Sequence, residues 1–292
     1  MYKPNSDSQL DTEGWKTIEW RQAERYVFKL QKRIYAASRC GDIKRVRKLQ
    51  KTLMRSWTNR VLAVRRVTQD NQGRKTAGVD GIKSLSPAAR LDLAKGLFIN
   101  GLSKPTRRIW IPKPGKTEFR PLSIPTIFDR ALQAVVKATL EPEWEARFEP
   151  SSYGFRPARS CHDAIKHIKN CIVSKPKFVL DADISQCFDR INQEALLLKL
   201  NMNGSVRQQL KAWLKSGVID AGLFVATTTG TPQGGVLSPL LSSIALHGLE
   251  SRINREFPAN SAGKVRGAKS KFGCEIFRPT FIKYADGTPI QA

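Results

Sequence analysis

Residues 177–189 read KFVLDADISQCFD, and the fold is decided by this stretch. A period of two puts Asp181 and Asp183 on one side of an extended chain. Apolar side chains alternate on the other side, as is typical of a buried strand: Phe178, Leu180, Ala182 and Ile184. The stretch therefore predicts a buried strand over 177–183 that ends in carboxylates.

A second apolar strand with the same kind of ending lies near the C-terminus. Residues 281–286 read FIKYAD, within a strand predicted over 276–285. Paired side by side, two strands that each end in aspartate would gather the oxygen ligands that octahedral Mg²⁺ prefers. An aspartate after a strand is also a common turn residue or helix N-cap, so both roles stay open for each site alone.

Two segments between these strands carry groups suited to phosphate and nucleotide binding. Lys113, Lys116 and Arg120 flank a Pro-Gly turn that joins strands predicted over 107–112 and 119–124. Residues 232–235 read PQGG, a low-bulk backbone directly before a predicted helix. Both features are also ordinary on protein surfaces, so neither decides a function by itself.

The first 70 residues carry charge mainly of one sign, with 17 Lys and Arg against 7 Asp and Glu. Apolar residues recur at helical spacing over 15–39 and 43–66, with cations on the opposite side. The pattern favours two helices that face phosphate, and the alternative is a solvated surface. The residues expected to bind RNA are Arg21, Arg25, Lys29, Lys32, Arg33, Lys44 and Lys51.

The composition of the whole chain narrows the class of function. Its 292 residues carry a formal net charge of +25, yet the hydrophobic fraction of 40% is that of a folded protein. Such a charge favours a nucleic-acid partner and disfavours a metabolic dehydrogenase. The five scattered cysteines contain no C-x-x-C pair, which argues against a zinc ribbon or a disulfide framework.

The sequence also predicts a protein that is not secreted and does not enter a membrane. The N-terminus lacks the apolar core of a signal peptide. Residues 221–249 carry no Lys, Arg, Asp or Glu, but the polar turn-forming run TTTGTPQGG at 227–235 interrupts them, so a buried helix is the simplest interpretation.

Periodicity predicts the remaining elements. Helices are expected near 87–99, 126–140, 161–172, 193–200, 205–216 and 236–250. A long loop is expected over 67–85, a hairpin over 217–229, and an exposed loop over 257–274.

Seven short motifs occur in a fixed order: KTAGVDG at 75–81, IPKP at 111–114, RPLSIPT at 120–126, YGFRP at 153–157, DISQCFD at 183–189, TPQGGVLSP at 231–239 and YAD at 284–286. Together with the basic prefix they resemble the N-terminal part of a group II intron-encoded reverse transcriptase/maturase. The resemblance runs from about Trp15 to Asp286.

The resemblance implies an α+β fold of the right-hand polymerase type. A helical basic N-terminal extension over 1–84 would precede a reverse transcriptase domain over 85–292 with fingers and an incomplete palm. The implied activity is RNA-directed DNA polymerisation, a nucleotidyl transfer, in intron mobility and splicing. The implied partners are intron RNA, an RNA template, a DNA primer and deoxynucleoside triphosphates, in the bacterial cytoplasm or an organelle.

The resemblance also assigns roles to individual residues. Asp183 and Asp286 would be the catalytic carboxylates that bind two Mg²⁺ ions. Phe188 stands where the family has the aromatic side chain that crowds a 2′-hydroxyl and so selects deoxynucleotides. The residues expected to contact the incoming nucleotide are Lys113, Arg120, Phe188, Gln233 and Gly234.

Two departures from the family pattern concern activity. The family motif is Tyr-x-Asp-Asp, and here Gly287 replaces the second aspartate. After Asp286 the sequence no longer resembles the family, so we expect the strand that returns from the catalytic turn, the rest of the palm and the thumb to be missing. A truncated chain with weak or no polymerase activity is therefore expected, and a non-catalytic RNA-binding module or an inert mobile-element remnant remain alternatives.

Overall fold

The computed structural model of the protein describes residues 14–113, 115, 117–173, 179–259, 264–269, 275–277, 279–285 and 287–291. Three residues named above, Lys116, Phe178 and Asp286, lie outside the described residues. The chain divides into two compact units, unit 1 (residues 1–147 and 188–241) and unit 2 (residues 148–187 and 242–292).

The described residues form helices and strands in an irregular order. The helices are α1 (Trp20–Arg39), α2 (Ile43–Arg55), α3 (Trp57–Arg65), α4 (Pro87–Gly96), α5 (Ile127–Glu145), α6 (Cys161–Ile172), α7 (Cys187–Arg190), α8 (Gln193–Leu200), α9 (Gly204–Leu214), α10 (Ser238–Leu246) and α11 (Leu249–Glu256). The strands are β1 (Thr106–Pro112), β2 (Phe119–Ile124), β3 (Val179–Asp183), β4 (Val218–Asp220), β5 (Leu223–Val225), β6 (Lys264–Lys269), β7 (Glu275–Phe277), β8 (Thr280–Phe281) and β9 (Gly287–Gln291).

The N-terminal helices of unit 1 enclose an apolar core. Helix α1 packs against α2, α3 and α5, and its inward residues are those that the helical periodicity indicates. We call the buried cluster of α1 and α2 the helical core: Val27, Leu30, Ile34, Ala37, Val46, Leu49 and Leu53. Burial of this apolar stripe, more than intrinsic propensity, stabilises the two helices.

The prediction of one helix over 43–66 is wrong, because the chain bends at Ser56. The Ser56 hydroxyl accepts a hydrogen bond from the backbone N–H of Asn59 (3.4 Å), which makes Ser56 the N-cap of α3. The buried Asn59 side chain donates to the carbonyls of Leu53 (3.1 Å) and Val135 (3.3 Å). This polar bridge ties the bend to α5.

A polar cluster of three side chains also joins α2 to α5. The carboxylate of Glu143, which is 1% exposed, accepts hydrogen bonds from the side chains of Arg47 and Gln50, each at 2.7 Å. A buried carboxylate needs such partners, because its transfer out of water is otherwise costly. The cluster therefore fixes how α2 lies on α5.

The segment predicted as a long loop over 67–85 is partly helical. It contains a π-helical turn at Arg66–Asp70 and a 3₁₀ turn at Gln72–Lys75. The side chain of Arg130 on α5 donates to the carbonyls of Gly73 (3.0 Å) and Thr76 (2.9 Å). The segment is therefore fastened to α5 by polar contacts.

The sheet of unit 1 has the strand order β2-β1-β4-β5. Strands β1 and β2 are antiparallel, with Ile111 opposite Arg120. Strand β4 is parallel to β1 and antiparallel to β5, which confirms the predicted hairpin over 217–229. In unit 2, β3, β9 and β8 form an antiparallel sheet in that order, and β6 pairs with β7.

Three further predictions are corrected. Helix 236–250 is divided at Gly248, whose φ of +95° is left-handed, into α10 and α11. The segment 257–274, predicted as a loop from its polar composition, contributes β6, because cross-strand pairing overrides local composition. Strand β3 is exposed along most of its length rather than buried.

The stretch without charged residues, 221–249, contains a helix. Helix α10 lies in the uncharged stretch, and its Leu240, Leu241 and Ile244 are buried, as predicted. Within the described ranges, no helix has both the length and the apolar character that crossing a bilayer requires.

Candidate active site

The sheet of unit 2 carries the first predicted catalytic carboxylate. Asp183 ends β3 and is exposed, and Asp181 on the same strand is exposed as well. In the antiparallel pairing of β3 with β9, Asp183 lies opposite Gly287, the residue that follows Asp286 in sequence. The backbone pairing thus brings the end of β3 beside the residue that follows the Tyr-Ala-Asp motif.

Two details of this sheet differ from the sequence prediction. The two strands with aspartate endings do not pair side by side, because β9 lies between β3 and β8. The strand that returns from the turn, expected to be missing, is present as β9. Backbone pairing with both neighbours forms this strand.

The turn before Asp286 is supported by the YGFRP motif at 153–157. Ala285 has a left-handed φ of +57°, and a Cβ on Gly154 would collide with the Ala285 backbone N. The Lys283 backbone N–H donates to Ser151 O (2.9 Å), and its carbonyl accepts from the Tyr153 N–H (2.8 Å). Gly154 is therefore required for close approach of these segments.

The base of this motif is held by a buried polar network. Arg156 donates to the carbonyls of Glu149 and Ser152, both at 2.7 Å. The Glu149 carboxylate contacts His247 Nδ1 (2.9 Å) and accepts from the Gly248 N–H (2.5 Å). Burial by itself raises the pKa of Glu149, but the hydrogen bond and charge of His247 and the Gly248 N–H outweigh it and lower the pKa to about 2.

The carboxylate side chains at the end of β3 are of the type that binds a divalent cation. Asp181 and Asp183 offer exposed carboxylate oxygens, the hard ligands that Mg²⁺ prefers. No group of three or more His, Cys, Asp or Glu side chains among the described residues could hold a metal ion. The second predicted metal ligand, Asp286, is outside the described residues.

The β1–β2 hairpin of unit 1 carries the predicted triphosphate contacts. Lys113 follows β1, its backbone N–H donates to Glu118 O (2.9 Å), and its ammonium pairs with the Glu118 carboxylate (2.5 Å). Arg120 is exposed on β2. Both cations therefore lie on one hairpin, and the ammonium of Lys113 is engaged by a carboxylate.

The other predicted nucleotide contacts of unit 1 lie on the loop before α10, which is hydrogen-bonded to β2. The Gln233 carbonyl accepts from the Ser123 N–H at 2.6 Å. Gly234 has φ +105°, and a Cβ there would come within 2.7 Å of Ser123 O and of Leu122 Cδ1. The PQGG segment thus needs glycine to lie against β2.

Phe188 joins this loop through its backbone. Its carbonyl accepts from the Thr231 N–H (2.7 Å), and its side chain is half-buried. A Cβ on Gly230 would come within 2.6 Å of the same carbonyl. Unit 1 therefore brings Phe188, Gln233 and Gly234 to one loop region beside β2.

A cavity of about 280 Å³ borders this region of unit 1. Its polar lining includes Arg108, Asp189, Gln233 and the threonines over 227–231. Sequence reasoning missed Arg108 and Asp189. Two features of the sequence could have indicated them. Arg108 is two residues from Trp110 on the same strand, and Asp189 directly follows Phe188.

All the predicted RNA-binding cations are exposed on two helices of unit 1. They are Arg21, Arg25, Lys29, Lys32 and Arg33 on α1, with Lys44 and Lys51 on α2. On α1 they lie away from the buried stripe that ends at Ala37. One solvent-facing surface of the helix is therefore predominantly basic.

Comparison with protein families identifies both parts of the chain. The family model described as the N-terminal domain of reverse transcriptase matches residues 15–97. The family model described as reverse transcriptase (RNA-dependent DNA polymerase) matches residues 111–290. The predicted boundary at residues 84 and 85 stays a prediction.

Several curated proteins are similar in sequence. Protein YkfC of Escherichia coli (strain K12) is 36% identical over 214 residues, 69% of this chain and 56% of that protein. Group II intron-encoded protein LtrA of Lactococcus lactis subsp. cremoris is 41% identical over 173 residues, 56% of this chain and 29% of LtrA. Maturase-like protein 1 of Euglena gracilis is 28% identical over 249 residues, 80% of this chain and 52% of that protein.

The chain thus spans between about a third and just over half the length of these relatives. A solved structure, a partial Cas6-RT-Cas1–Cas2 complex, covers 84% of this chain and 38% of its own at 20% identity, with a TM-score of 0.44, too low to support an argument. The family matches confirm the predicted α+β reverse transcriptase fold with a helical N-terminal region. The chain belongs to the reverse transcriptase family, and its relatives confirm the resemblance to group II intron-encoded reverse transcriptases and maturases.

Proposed function

We propose that this chain is an RNA-directed DNA polymerase of a group II intron that acts in intron mobility and splicing, with weak polymerase activity. The observation that carries the proposal is the pairing of Asp183 with Gly287, beside the Tyr-Ala-Asp motif. It supports a carboxylate site at the end of β3. Family members bind nucleic-acid templates and deoxynucleoside triphosphates, and they use divalent metal ions.

Mg²⁺ is the proposed cofactor, held by Asp183 and Asp286. When bound, it supplies activation of the attacking oxygen and stabilisation of the leaving pyrophosphate. Asp183 contributes an exposed carboxylate on a hydrogen-bonded strand, and Gly154 allows the neighbouring turn to approach. Gly287 provides no carboxylate, so fewer protein anions balance the cation charge, and this supports weak activity.

The residues of unit 1 would bind the nucleotide. Lys113 and Arg120 would neutralise triphosphate oxygens, which requires Lys113 to exchange its contact with Glu118 for one with phosphate. Gln233 and Gly234 would line the nucleotide pocket, where the lack of a side chain on Gly234 permits close approach. Phe188 would exclude a 2′-hydroxyl.

Intron RNA is the proposed partner of α1 and α2. The exposed cations of these helices would neutralise phosphates and release counterions, which gives affinity that falls steeply with salt. The primer and template would occupy the polymerase region. The proposed place of action is the bacterial cytoplasm or an organelle, and the relatives come from two bacteria and from Euglena gracilis.

Primer extension on an RNA template in Mg²⁺ tests the polymerase assignment. We expect weak extension that is lost in Asp183→Asn, because the amide removes a metal-binding charge. The matched control is Asp220→Asn, which alters another strand-end aspartate, on β4, whose carboxylate accepts from Trp110 (3.2 Å). Equal extension by wild type and Asp183→Asn would contradict the assignment.

A non-catalytic RNA-binding module is the second candidate, and Gly287 at the second aspartate position favours it. Wild type without measurable extension, but with RNA affinity that falls with salt, would support it. Reversing Arg25, Lys29 and Lys32 to Glu should weaken binding at least tenfold and reduce the salt slope by about 2. The control reverses Lys166 and Lys169, exposed cations on α6 of unit 2.

A further inference from the structure

A second cavity of unit 1, of about 630 Å³, lies beside α2 and outside the candidate active site. Its floor is apolar and comes from four buried side chains: Leu97, Leu132, Val135 and Met202. Met54, Phe98, Ile99 and Val206 add apolar walls. None of the seven sequence motifs contributes a residue to the lining of this cavity.

The rim of the cavity is cationic. Arg47, Lys51, Arg55 and Arg60 all line it. Arg47 is neutralised by the buried Glu143, at 2.7 Å. Lys51 and Arg55 are exposed and have no carboxylate partner among the described residues, so they are open to an anion.

The aromatic ring of Phe98 lies at the cavity wall. The Arg60 guanidinium lies 4.8 Å from the centroid of the Phe98 ring and 5.7 Å from that of Trp57. Arg60 also donates to the carbonyls of Arg55 (3.3 Å) and Lys95 (3.5 Å), which holds it in place. With Arg60 over one face, Phe98 is still 60% exposed, so its other face is open for stacking.

We infer that this cavity binds one unpaired nucleotide of an RNA, with the base against Phe98 and the flanking phosphates on Lys51 and Arg55. A base is a flat apolar body joined to anions, which matches an apolar floor under a cationic rim. The net charge of +25 favours an anionic partner over an apolar peptide. The inference rests on the proposed RNA binding and specifies how part of it occurs.

The test measures binding of a single-stranded oligoribonucleotide that contains 2-aminopurine, and of a fully paired RNA duplex of equal length. Phe98→Ala should weaken single-strand binding about tenfold, because one stacking contact is lost, and it should leave the salt slope unchanged. It should hardly alter duplex binding. Phe98→Trp should bind the single strand as tightly as wild type does and should quench 2-aminopurine fluorescence to the same extent.

Phe224→Ala is the matched control. Phe224 is 61% exposed on β5, so it resembles Phe98 in exposure but is outside this cavity and outside the basic helices α1 and α2. Its substitution should change single-strand affinity less than twofold. Lys51→Ala should lower affinity for both RNAs and reduce the single-strand salt slope by about 0.7, as the loss of one phosphate contact requires.

The outcomes separate this inference from the proposed function. If wild type binds RNA with a steep salt dependence but Phe98→Ala and Phe224→Ala behave alike, the cavity assignment fails and the proposed RNA binding stands. Equal losses for single-stranded and duplex RNA in Phe98→Ala would also overturn the cavity assignment. If wild type binds neither RNA, the proposed RNA binding and this inference both fail.

Discussion

The helical core of unit 1 and strand β3 of unit 2 are both apolar in sequence, yet they differ sharply in burial. Leu53 of the helical core is 0% exposed, whereas Leu180 of β3 is 56% exposed. Helices α1, α2 and α5 cover one another's apolar faces. Strand β3 gains backbone hydrogen bonds from β9, but its side chains remain open to solvent.

The difference shows that hydrophobic pattern and burial are separate properties. An amphipathic helix beside other helices can bury its stripe within a short length of chain. A strand buries its faces only when other elements pack on the sheet. Unit 1 should therefore derive stability from side-chain packing, and the β3 region mainly from backbone pairing.

The largest expected effect comes from one substitution made in each region. Leu53→Ala should lower the free energy of unfolding of unit 1 by about 3 kcal/mol, through lost burial and a residual cavity. Leu180→Ala should cost less than about 1 kcal/mol, since its side chain is already in water. All six Trp residues lie in unit 1, so tryptophan fluorescence during urea unfolding follows that unit.

Far-UV circular dichroism in the same titration includes unit 2. Equal losses of stability for the two leucine variants would show that β3 is packed as tightly as the helical core. That result would remove the difference between the regions. A change in the slope with urea, rather than in the midpoint, would indicate an altered unfolded state.

The next effect concerns the polar network of unit 2, which should make this unit sensitive to acid. Glu149 has its folded pKa lowered to about 2, below its ordinary 4.5. Its contribution to stability is therefore complete above pH 4.5 and is lost as pH falls toward 2. The full shift corresponds to about 3 kcal/mol.

Hydrogen exchange of backbone amides in unit 2 between pH 5 and 2.5, corrected for the intrinsic rates, measures this loss. Glu149→Gln should be less stable at pH 5 and show a flatter pH dependence. Glu256→Gln is the control, because Glu256 is an exposed carboxylate that pairs with Arg252 one helical turn away (2.7 Å). An unchanged pH profile in Glu149→Gln would exclude the network as the acid-sensitive element.

Local patterns predict several elements of the fold to the residue. Strand β2 (Phe119–Ile124) and helices α6 (Cys161–Ile172) and α8 (Gln193–Leu200) have their predicted ends. Side chains at the start of the two helices explain the accuracy: Ser160 and Asp163 form a capping box, and Asn192 caps α8. The break at Ser56 is not evident in the sequence, because apolar residues such as Trp57 and Val61 follow it at helical spacing.

The candidate site was predictable in composition but not in arrangement. Short motifs predict Asp183, Phe188 and Gln233 because each belongs to a local run of unusual residues. The insertion of β9 between β3 and β8 depends on pairing between segments about 100 residues apart, which period-two alternation does not specify. The role of Gly154 likewise depends on a contact with Ala285.

The smallest expected effect concerns a segment that neither apolar packing nor strand pairing stabilises, the 3₁₀ turn at Gln72–Lys75. Arg130, 7% exposed, holds it through the carbonyls of Gly73 and Thr76. Burial lowers the pKa of Arg130, and the charge of Asp80 opposes this. Arg130→Gln should cost unit 1 about 2 kcal/mol, because it removes two hydrogen bonds that a buried guanidinium donates.

The turn itself should respond more strongly than the unit to Arg130→Gln. Arg74 and Lys75 are exposed and are trypsin sites, so their cleavage should be at least fivefold faster once the turn is released. Arg130→Lys should not restore protection, because one ammonium cannot match two carbonyls in the planar geometry of a guanidinium. Arg66→Gln, at an exposed arginine of the adjacent π-helical turn, should leave cleavage unchanged. Equal cleavage of wild type and Arg130→Gln would mean that the turn is held by its own backbone, since Arg130 is the side chain that links it to α5.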